Sequence, residues 1–406
     1  MTVVHLVETR MIKKRDKVYP ALDAASFAAK NLYNLVNYYI RQAYIKENRY
    51  MKMKELWGII KTSEAYGGLP RKVSNQVILQ VYHDWGAYYE SIKVWRVQPE
   101  KYKARPNIPH YKPKLDGRSV LTFEKGAINH HRFFKKQGII SPSGLDLPIQ
   151  TDRNVIQIRI VPKKEYYALE LIYSVDVPEN KELDPTLIAG IDIGVNILAA
   201  LTSNKIGFKP KLVNGRPLKA INQYYNKEKS RLQSLLTHYK RFSTPKIHQL
   251  GAKRERQIDN YMHTASKRII DTLAQEKIGV LVIGHNKDWK QEANLRDRIN
   301  QNFVQIPFNR FIQMLTYKAQ LKGVRIILTE ESYTSKCSFL DCEGLCHHQE
   351  FIGRRIKRGL FRSRSGKVIH ADINGSYNMI RKVYPNAFQD NGLVDACAVH
   401  PSGFIP

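Results

Sequence analysis

Cysteine is scarce in this chain, with four among 406 residues, at 337, 342, 346 and 397. So few thiols exclude a disulfide framework as the basis of the fold. Acidic residues are under-represented too: 36 stand against 66 lysines and arginines, for a formal net charge of +30. The surplus is spread along the chain rather than held in a tail, which favours a polyanionic partner. Long apolar runs are also missing. None approaches the ~20 residues that a membrane-spanning helix needs, and the opening Met-Thr-Val-Val-His-Leu lacks a signal-peptide core. These absences predict a cytoplasmic protein whose partner is nucleic acid and not a membrane. Internal repeats and low-complexity segments are absent as well.

What is present is enough apolar residue, 43%, to bury sizeable cores, and a length that implies two or three domains. Residues 3–13 read as a strand. Residues 20–46, 51–62 and 73–94 read as helices, with Gly67-Gly68-Leu69-Pro70 breaking the series. Gln76 and Gln80 on the third helix suit adenine edges in a major groove, although an ordinary polar helix face is the simpler account. Residues 101–114 then alternate basic residues and tyrosines between prolines, which excludes a helix. This extended segment, with Arg105, Tyr111 and Lys112, suits a nucleic-acid backbone and stacked bases; a solvated linker explains it equally well. Strands at 119–124, 155–162 and 166–177 follow, the last two reading as a hairpin. Pro178–Pro185 is a natural boundary.

Beyond it, one carboxylate, Asp192, sits inside the otherwise apolar Ile-Ala-Gly-Ile-Asp-Ile-Gly strand. An ionised Asp there is costly without a partner, and a divalent metal is the usual one. Gly190 and Gly194 are read as leaving room for metal and phosphate. The Gly-x-Asp-x-Gly pattern also opens the phosphate hairpin of actin-like ATPases, but no second glycine-rich nucleotide loop follows. A strand near 197–202, a long basic helical stretch over 216–275, a buried strand 278–284, a helix 308–321 and a buried strand 324–328 come next. Residues 337–370 read as polar, Arg-rich and irregular. Asp372 opens a last helix, as a catalytic acid or as its N-cap, and a tail from about 386 reads as flexible. Alternating strands and helices with acids at strand ends predict a ribonuclease-H-like domain, in which magnesium held by converging carboxylates cleaves phosphodiesters. The third acid is the open question. Strand 278–284 ends in Gly284-His285-Asn286-Lys287, and Asp288 lies too far beyond it. Glu330 and Glu331 end the next strand, and alternation allows only one of them to face Asp192.

Taken together, these motifs resemble the TnpB family, RNA-guided nucleases encoded by bacterial transposons and related to type V CRISPR effectors and Fanzor proteins. The resemblance rests on Gly190-Ile-Asp192-Ile-Gly194, Tyr333-Thr-Ser-Lys-Cys-Ser338, Asp372-Ile-Asn-Gly-Ser-Tyr-Asn378 and the basic Pro106–Lys112 segment. It implies a multidomain α+β protein: an N-terminal β-barrel (wedge) with a helical insertion, then a RuvC-like α/β nuclease domain with a small insertion. The expected divisions are 1–15 (first wedge strand), 16–98 (recognition lobe), 99–184 (wedge barrel), 185–336 (nuclease domain with a basic helical hairpin), 337–370 (target-nucleic-acid-binding insertion), 371–385 (last nuclease helix) and 386–406 (tail). It further implies a transposon-end guide RNA, double-stranded target DNA, two Mg2+ ions on Asp192, Glu331 and Asp372, and a bacterial, nucleoid-associated location. Lys287, Trp289 and Lys290 become candidate nucleic-acid contacts.

Two departures from the family pattern stand out. Where most relatives carry the middle glutamate this chain has His285, and Glu331, three residues before Thr334, matches the shifted position seen in some relatives. Other relatives have lost the acids and act as RNA-guided repressors, so a nuclease-inactive DNA-binding protein is the alternative; an RNA-independent transposase is a third reading. The family's zinc ribbon is also irregular: Cys337, Cys342 and Cys346, completed by His347 or His348, are candidate Zn2+ ligands, but Arg362-Ser-Arg-Ser365 replaces the second knuckle. The alternative is an insertion that folds without metal. Cys397 reads as a bystander.

Overall fold

The computed structural model describes residues 2–129, 138–177, 180–237, 243–285, 305–388, 401–404 and 406. His5–Val175 forms one compact unit, and Asp176–Pro406 with the first four residues forms another. The division falls just ahead of the boundary expected from the prolines.

In the first unit, β1 (Thr2–Lys13) leads to α1 (Tyr19–Glu47). Leu22, Ala29, Leu32, Val36, Ile40 and Ala43 recur at helical spacing along α1 and are buried, and Asn48 ends it in the left-handed conformation at φ 47°. Next come α2 (Met53–Ile60), α3 (Glu64–Gly67) and α4 (Arg71–Val97), the last beginning directly after Pro70. The strands are β2 (Leu121–Glu124), β3 (Ile128–Asn129), β4 (Ile139–Pro142), β5 (Ile149–Gln150), β6 (Val155–Pro162) and β7 (Tyr166–Val177). They form two sheets, ordered β1-β7-β6-β2 and β3-β4-β5. The expected β6–β7 hairpin is present, with Pro162 opposite Tyr167. Among the described residues no strand pairing joins the two sheets. Trp85, Tyr33, Ile78, Phe123 and Leu171 belong to one core shared by α1, α4 and the larger sheet.

The second unit is built on a six-stranded sheet. Its strands are β8 (Asp184–Ile193), β9 (Ile197–Ser203), β10 (Lys211–Asn214), β11 (Ile278–Gly284) and β12 (Arg325–Thr329), with a sixth from the end of the chain. The basic helical stretch is two helices, α5 (Arg216–Thr237) and α6 (Pro245–Gln275), and α7 (Phe308–Lys322) precedes β12. Residues 337–370 are more regular than their composition suggested: β13 (Arg354–Lys357), β14 (Leu360–Arg362) and β15 (Val368–His370) form an antiparallel sheet. The last helix is α8 (Ala371–Val383). The tail expected to be flexible returns to the main sheet as β16 (Ser402–Phe404), parallel to β10.

The sheet order is β12-β11-β8-β9-β10-β16. Strand β9 runs antiparallel to β8 and β10, whereas β11 and β12 run parallel to β8. Side-chain alternation divides β8 between two cores. Ala189, Ile191 and Ile193 enter the core that includes Met262, Ile269, Phe311 and Leu315 of α6 and α7. Ile188 enters the opposite core with Ile373, Tyr377 and Ile380 of α8, and that face also carries Gly190 and Asp192.

Candidate active site

Asp192 is the next-to-last residue of β8, opposite Ala200 of β9. It keeps some surface accessibility, but its carboxyl lies deep enough in protein to lose most of its hydration. Burial pushes this carboxyl well above the usual carboxylate range, and the charges of Glu331 and Asp372 push it further. Arg355 on β13 acts in the opposite direction. The three candidate acids therefore share one electrostatic environment although 180 residues separate the first from the last.

Of the two candidate glutamates, Glu330 is exposed and Glu331 is half-buried. Burial raises Glu331 to about 7. Its carboxylate occupies space vacated by a glycine: a Cβ at Gly284 would lie 2.6 Å from Glu331 Oε1 and 2.5 Å from Met379 Cε. Alternation along β11 explains why. Val280 and Val282 enter the core beneath α8, as Gly284 would by parity, whereas Leu281 and Ile283 enter the opposite core. His285 continues the ladder through its N–H to Thr329 O at 2.8 Å, and its ring turns to Asn309 Oδ1 at 3.3 Å, on α7. An adjacent strand end thus supplies the carboxylate over Gly284. The turn after it fixes its backbone: Thr334 donates from N and Oγ1 to Glu331 O at 3.2 and 2.8 Å.

Asp372 is not the N-cap of α8. His370 holds that position, its Nδ1 accepting the Asp372 N–H at 3.3 Å, which leaves the Asp372 carboxylate in the first turn. Burial lowers the pKa of His370 against the field of Asp372, consistent with an unprotonated acceptor nitrogen. Arg355 Nη2 lies 3.8 Å from Asp372 Oδ1. A Cβ at Gly375 would sit 2.8 Å from Asp192 Oδ2, so the helix meets the strand acid through a glycine. Gly190 and Gly194 serve differently than expected. A Cβ at Gly190 would be 2.5 Å from Ser376 O and 2.8 Å from Ile380 Cγ1, which makes Gly190 a helix-packing position. Gly194 relieves contact with Ile197 O across the β8–β9 turn.

The rest of the last-helix motif is structural. Asn374 Oδ1 accepts from Phe339 N at 2.9 Å and its Nδ2 donates to Cys337 O at 2.9 Å. Asn378, one turn on, donates to Thr334 O and Cys337 O at 2.9 and 2.8 Å. Ser376 points the other way, to Gly190 O and Thr202 Oγ1 at 2.8 and 2.9 Å. The helix that carries Asp372 is thereby fixed to β8 on one side and to the Glu331 turn on the other. Arg355, Gly284 and these asparagines were missed as site residues in the sequence; the Asn-x-x-x-Asn spacing was the available signal.

Among the described residues, no three His, Cys, Asp or Glu side chains converge tightly enough to cage one ion. Magnesium needs only one or two carboxylates, with water and substrate oxygens completing its shell, so the acids present suffice to hold it without such a cage. Burial raises both Asp192 and Glu331, and the charges of Glu331 and Asp372 raise Asp192 further, a site whose ionised form a bound cation would favour. Cys337, Cys346 and His348 lie around Gly344 O, with Cys337 Sγ 3.2 Å and His348 Nε2 2.7 Å from it and Cys346 Sγ 3.5 Å from His348 Nε2. Cys337 is buried, while Cys342 and Cys346 are exposed.

The other candidates are placed as follows. Gln76 is half-buried and Gln80 exposed on α4, where Gln80 Nε2 donates to Asp84 Oδ1 at 2.8 Å. The 106–114 segment is not a free strap. Lys30 of α1 donates to Lys114 O, Asn34 exchanges bonds with the Lys112 backbone, and Asn37 and Arg41 both reach Pro109 O. These four lie along one face of α1. Arg105 stacks on Trp95 and Tyr111 on Arg41, both contacts within the unit. Lys112 is half-buried with Nζ 4.4 Å from the Tyr33 ring centre, and burial lowers its pKa. Lys287, Trp289, Lys290, Asp288 and Cys397 lie outside the described residues.

A mixed sheet crossed by one helix, with three acids from two strand ends and the helix start, defines the class: a multidomain α/β protein with an acidic site. Known proteins narrow it. Residues 171–290 match the family described as "Probable transposase" (OrfB_IS605), and 308–379 match the "Cas12f1-like, TNB domain". The chain is similar to the CRISPR-associated endodeoxyribonuclease Cas12f2 of a Micrarchaeota archaeon, at 29% identity over 55% of this chain and 41% of the relative. It is similar to Cas12f1 of Sulfoacidibacillus thermotolerans, at 25% identity over 53% and 50% of the two chains. A TnpB-like protein of Acidianus two-tailed virus, ORF457, is 22% identical over 48% and 41%. The matches span half or less of each relative's length. Together these matches support a TnpB-family protein.

Proposed function

We propose that this protein is an RNA-guided DNA endonuclease with a RuvC-like, ribonuclease-H-type site formed by Asp192, Glu331 and Asp372. One observation carries the reading: Glu331 occupies the space beside Gly284 on the sheet face that holds Asp192, so the acid missing at His285 is supplied by the neighbouring strand. Divalent magnesium on these carboxylates would supply a metal-activated water and neutralise charge on the scissile phosphate. The protein's own groups prepare that chemistry. Burial holds Asp192 and Glu331 poised to exchange protons for metal, Gly284 and Gly375 admit the carboxylates, and Arg355 places a fixed positive charge beside Asp372.

The net charge of +30 suits a guide RNA and target DNA. The two relatives named as endodeoxyribonucleases favour DNA cleavage. On this reading the first unit is the wedge with its helical lobe, 337–370 contacts target nucleic acid, and the guide derives from the transposon end. Purified ribonucleoprotein is expected to cut a matched plasmid with magnesium, and Glu331→Gln to abolish cutting while target binding persists. Full cleavage by that variant would remove Glu331 from the site. Target binding without cutting under any divalent metal would instead establish the repressor reading.

A further inference from the structure

The zinc ribbon expected of the 337–370 insertion does not fit the residues present. The buried Cys337 Sγ lies 3.2 Å from Gly344 O and 3.8 Å from Cys346 O, carbonyl contacts that suit a neutral thiol donor. Cys346 lies 3.5 Å from His348 Nε2, and that same ring nitrogen lies 2.7 Å from Gly344 O. Cys342 is exposed, with a left-handed backbone at φ 51°. Two carboxylates make the connections that a metal would make. Glu343, only 3% exposed, accepts Ser338 N through Oε2 at 2.6 Å and Ile352 N through Oε1 at 2.8 Å. Asp341 Oδ2 accepts Ser338 Oγ at 2.6 Å and Arg364 N at 2.8 Å. Arg364 lies in the segment that replaces the second knuckle. Thus Asp341 joins the first knuckle to the remnant of the second, as a shared ion would.

We infer that the insertion is held by a metal-independent carboxylate staple, Glu343 with Asp341, in place of zinc. The arrangement is economical in charge. Glu343 accepts two backbone N–H groups and Asp341 one backbone N–H and one hydroxyl, charge-assisted bonds that satisfy a carboxylate without a counter-ion. The staple also orients the insertion on the last helix. Arg381 of α8 donates to Glu343 O at 3.3 Å and Cys342 O at 3.1 Å, continuing the face that Asn374 and Asn378 begin. Ile352, held by Glu343, lies three residues before the Arg355 that faces Asp372. This inference stands whether or not the site cleaves DNA.

The test uses the full chain purified from zinc-supplemented cells. Elemental analysis should find zinc far below stoichiometric, and, in buffer with magnesium held in excess, the thermal transition should not move with a zinc-selective chelator. Amide exchange read by mass spectrometry should show Ser338 and Ile352 losing protection about ten- to a hundredfold in Glu343→Gln, with the amides of β11 unchanged. Cys342→Ser and Cys346→Ser should leave that protection as it was. Stoichiometric zinc that is lost in Cys346→Ser would overturn the inference. So would unchanged exchange at Ser338 and Ile352 in Glu343→Gln.

Discussion

Replacing Glu331 by glutamine should make the metal-free protein more stable at alkaline pH while it abolishes cleavage. Burial raises this carboxyl from 4.5 to about 7. In that window the folded state binds more protons than the unfolded state, so stability is present below pH 4.5 and is lost as pH rises through 7. The displacement corresponds to about 3 kcal/mol once the group is ionised in the fold. A glutamine side chain carries no charge and has nearly the same shape, so at pH 8 without metal E331Q should gain up to about 3 kcal/mol. For a unit of this size that is about 2–4 °C in Tm per kcal/mol. At pH 5 the parent is mostly protonated, and the two should nearly coincide. Magnesium reverses the order. It binds only the ionised site and should stabilise the parent at pH 8 by about 2.7 kcal/mol at a hundredfold excess over Kd, with little effect on the variant. Scanning calorimetry at pH 5 and 8, with EDTA and with magnesium, reads all four states. A variant less stable than its parent at pH 8 in EDTA would refute the burial argument. Equal stabilisation of both by magnesium would refute the metal site.

The same titration predicts that cleavage rises with pH through about 7 at low magnesium, and that the midpoint moves down as magnesium is raised; a profile insensitive to magnesium speaks against Glu331 as a ligand. Gly284→Ala places a methyl 2.6 Å from Glu331 Oε1 and should cost about 1–3 kcal/mol with severe loss of cutting; urea unfolding and plasmid cleavage measure the two. Asn378→Ala strips the bonds to Thr334 O and Cys337 O and should destabilise by about 1–3 kcal/mol, with cleavage falling more than target binding. Lys112→Met keeps the packing against Tyr33 and should leave stability within about 1 kcal/mol. A large loss of guide RNA affinity in that variant would show that the ammonium group serves the RNA.

Strand and helix periods were legible because burial imposes them on the sequence directly. The apolar run 278–284 is β11 from end to end, and the apolar stripes of α1 and α4 mark their buried faces. The insertion and the tail were not legible. Strand β13 is fully exposed and carries Arg354, Arg355 and Lys357, so no alternation betrays it, and β16 is three residues whose pairing depends on β10. The basic 106–114 segment shows the reverse. Its composition reads as free to meet nucleic acid, yet its backbone is held by Lys30, Asn34, Asn37 and Arg41, polar side chains whose role no local pattern marks.

The sequence by itself determined that Asp192 is an acid in an apolar strand, that Asp372 lies at the start of the last helix and that strand 278–284 is followed by His285, because each is a local fact of residue type and position. Only the tertiary structure decided which of the two glutamates turns to the sheet face of Asp192. That choice depends on which faces of β11 and the end of β12 meet α8. Gly284 leaves the space, Glu331 fills it, and Glu330 remains exposed. Strand parity and the packing of one helix across the sheet fix that outcome, and neither can be read from any single stretch of the chain.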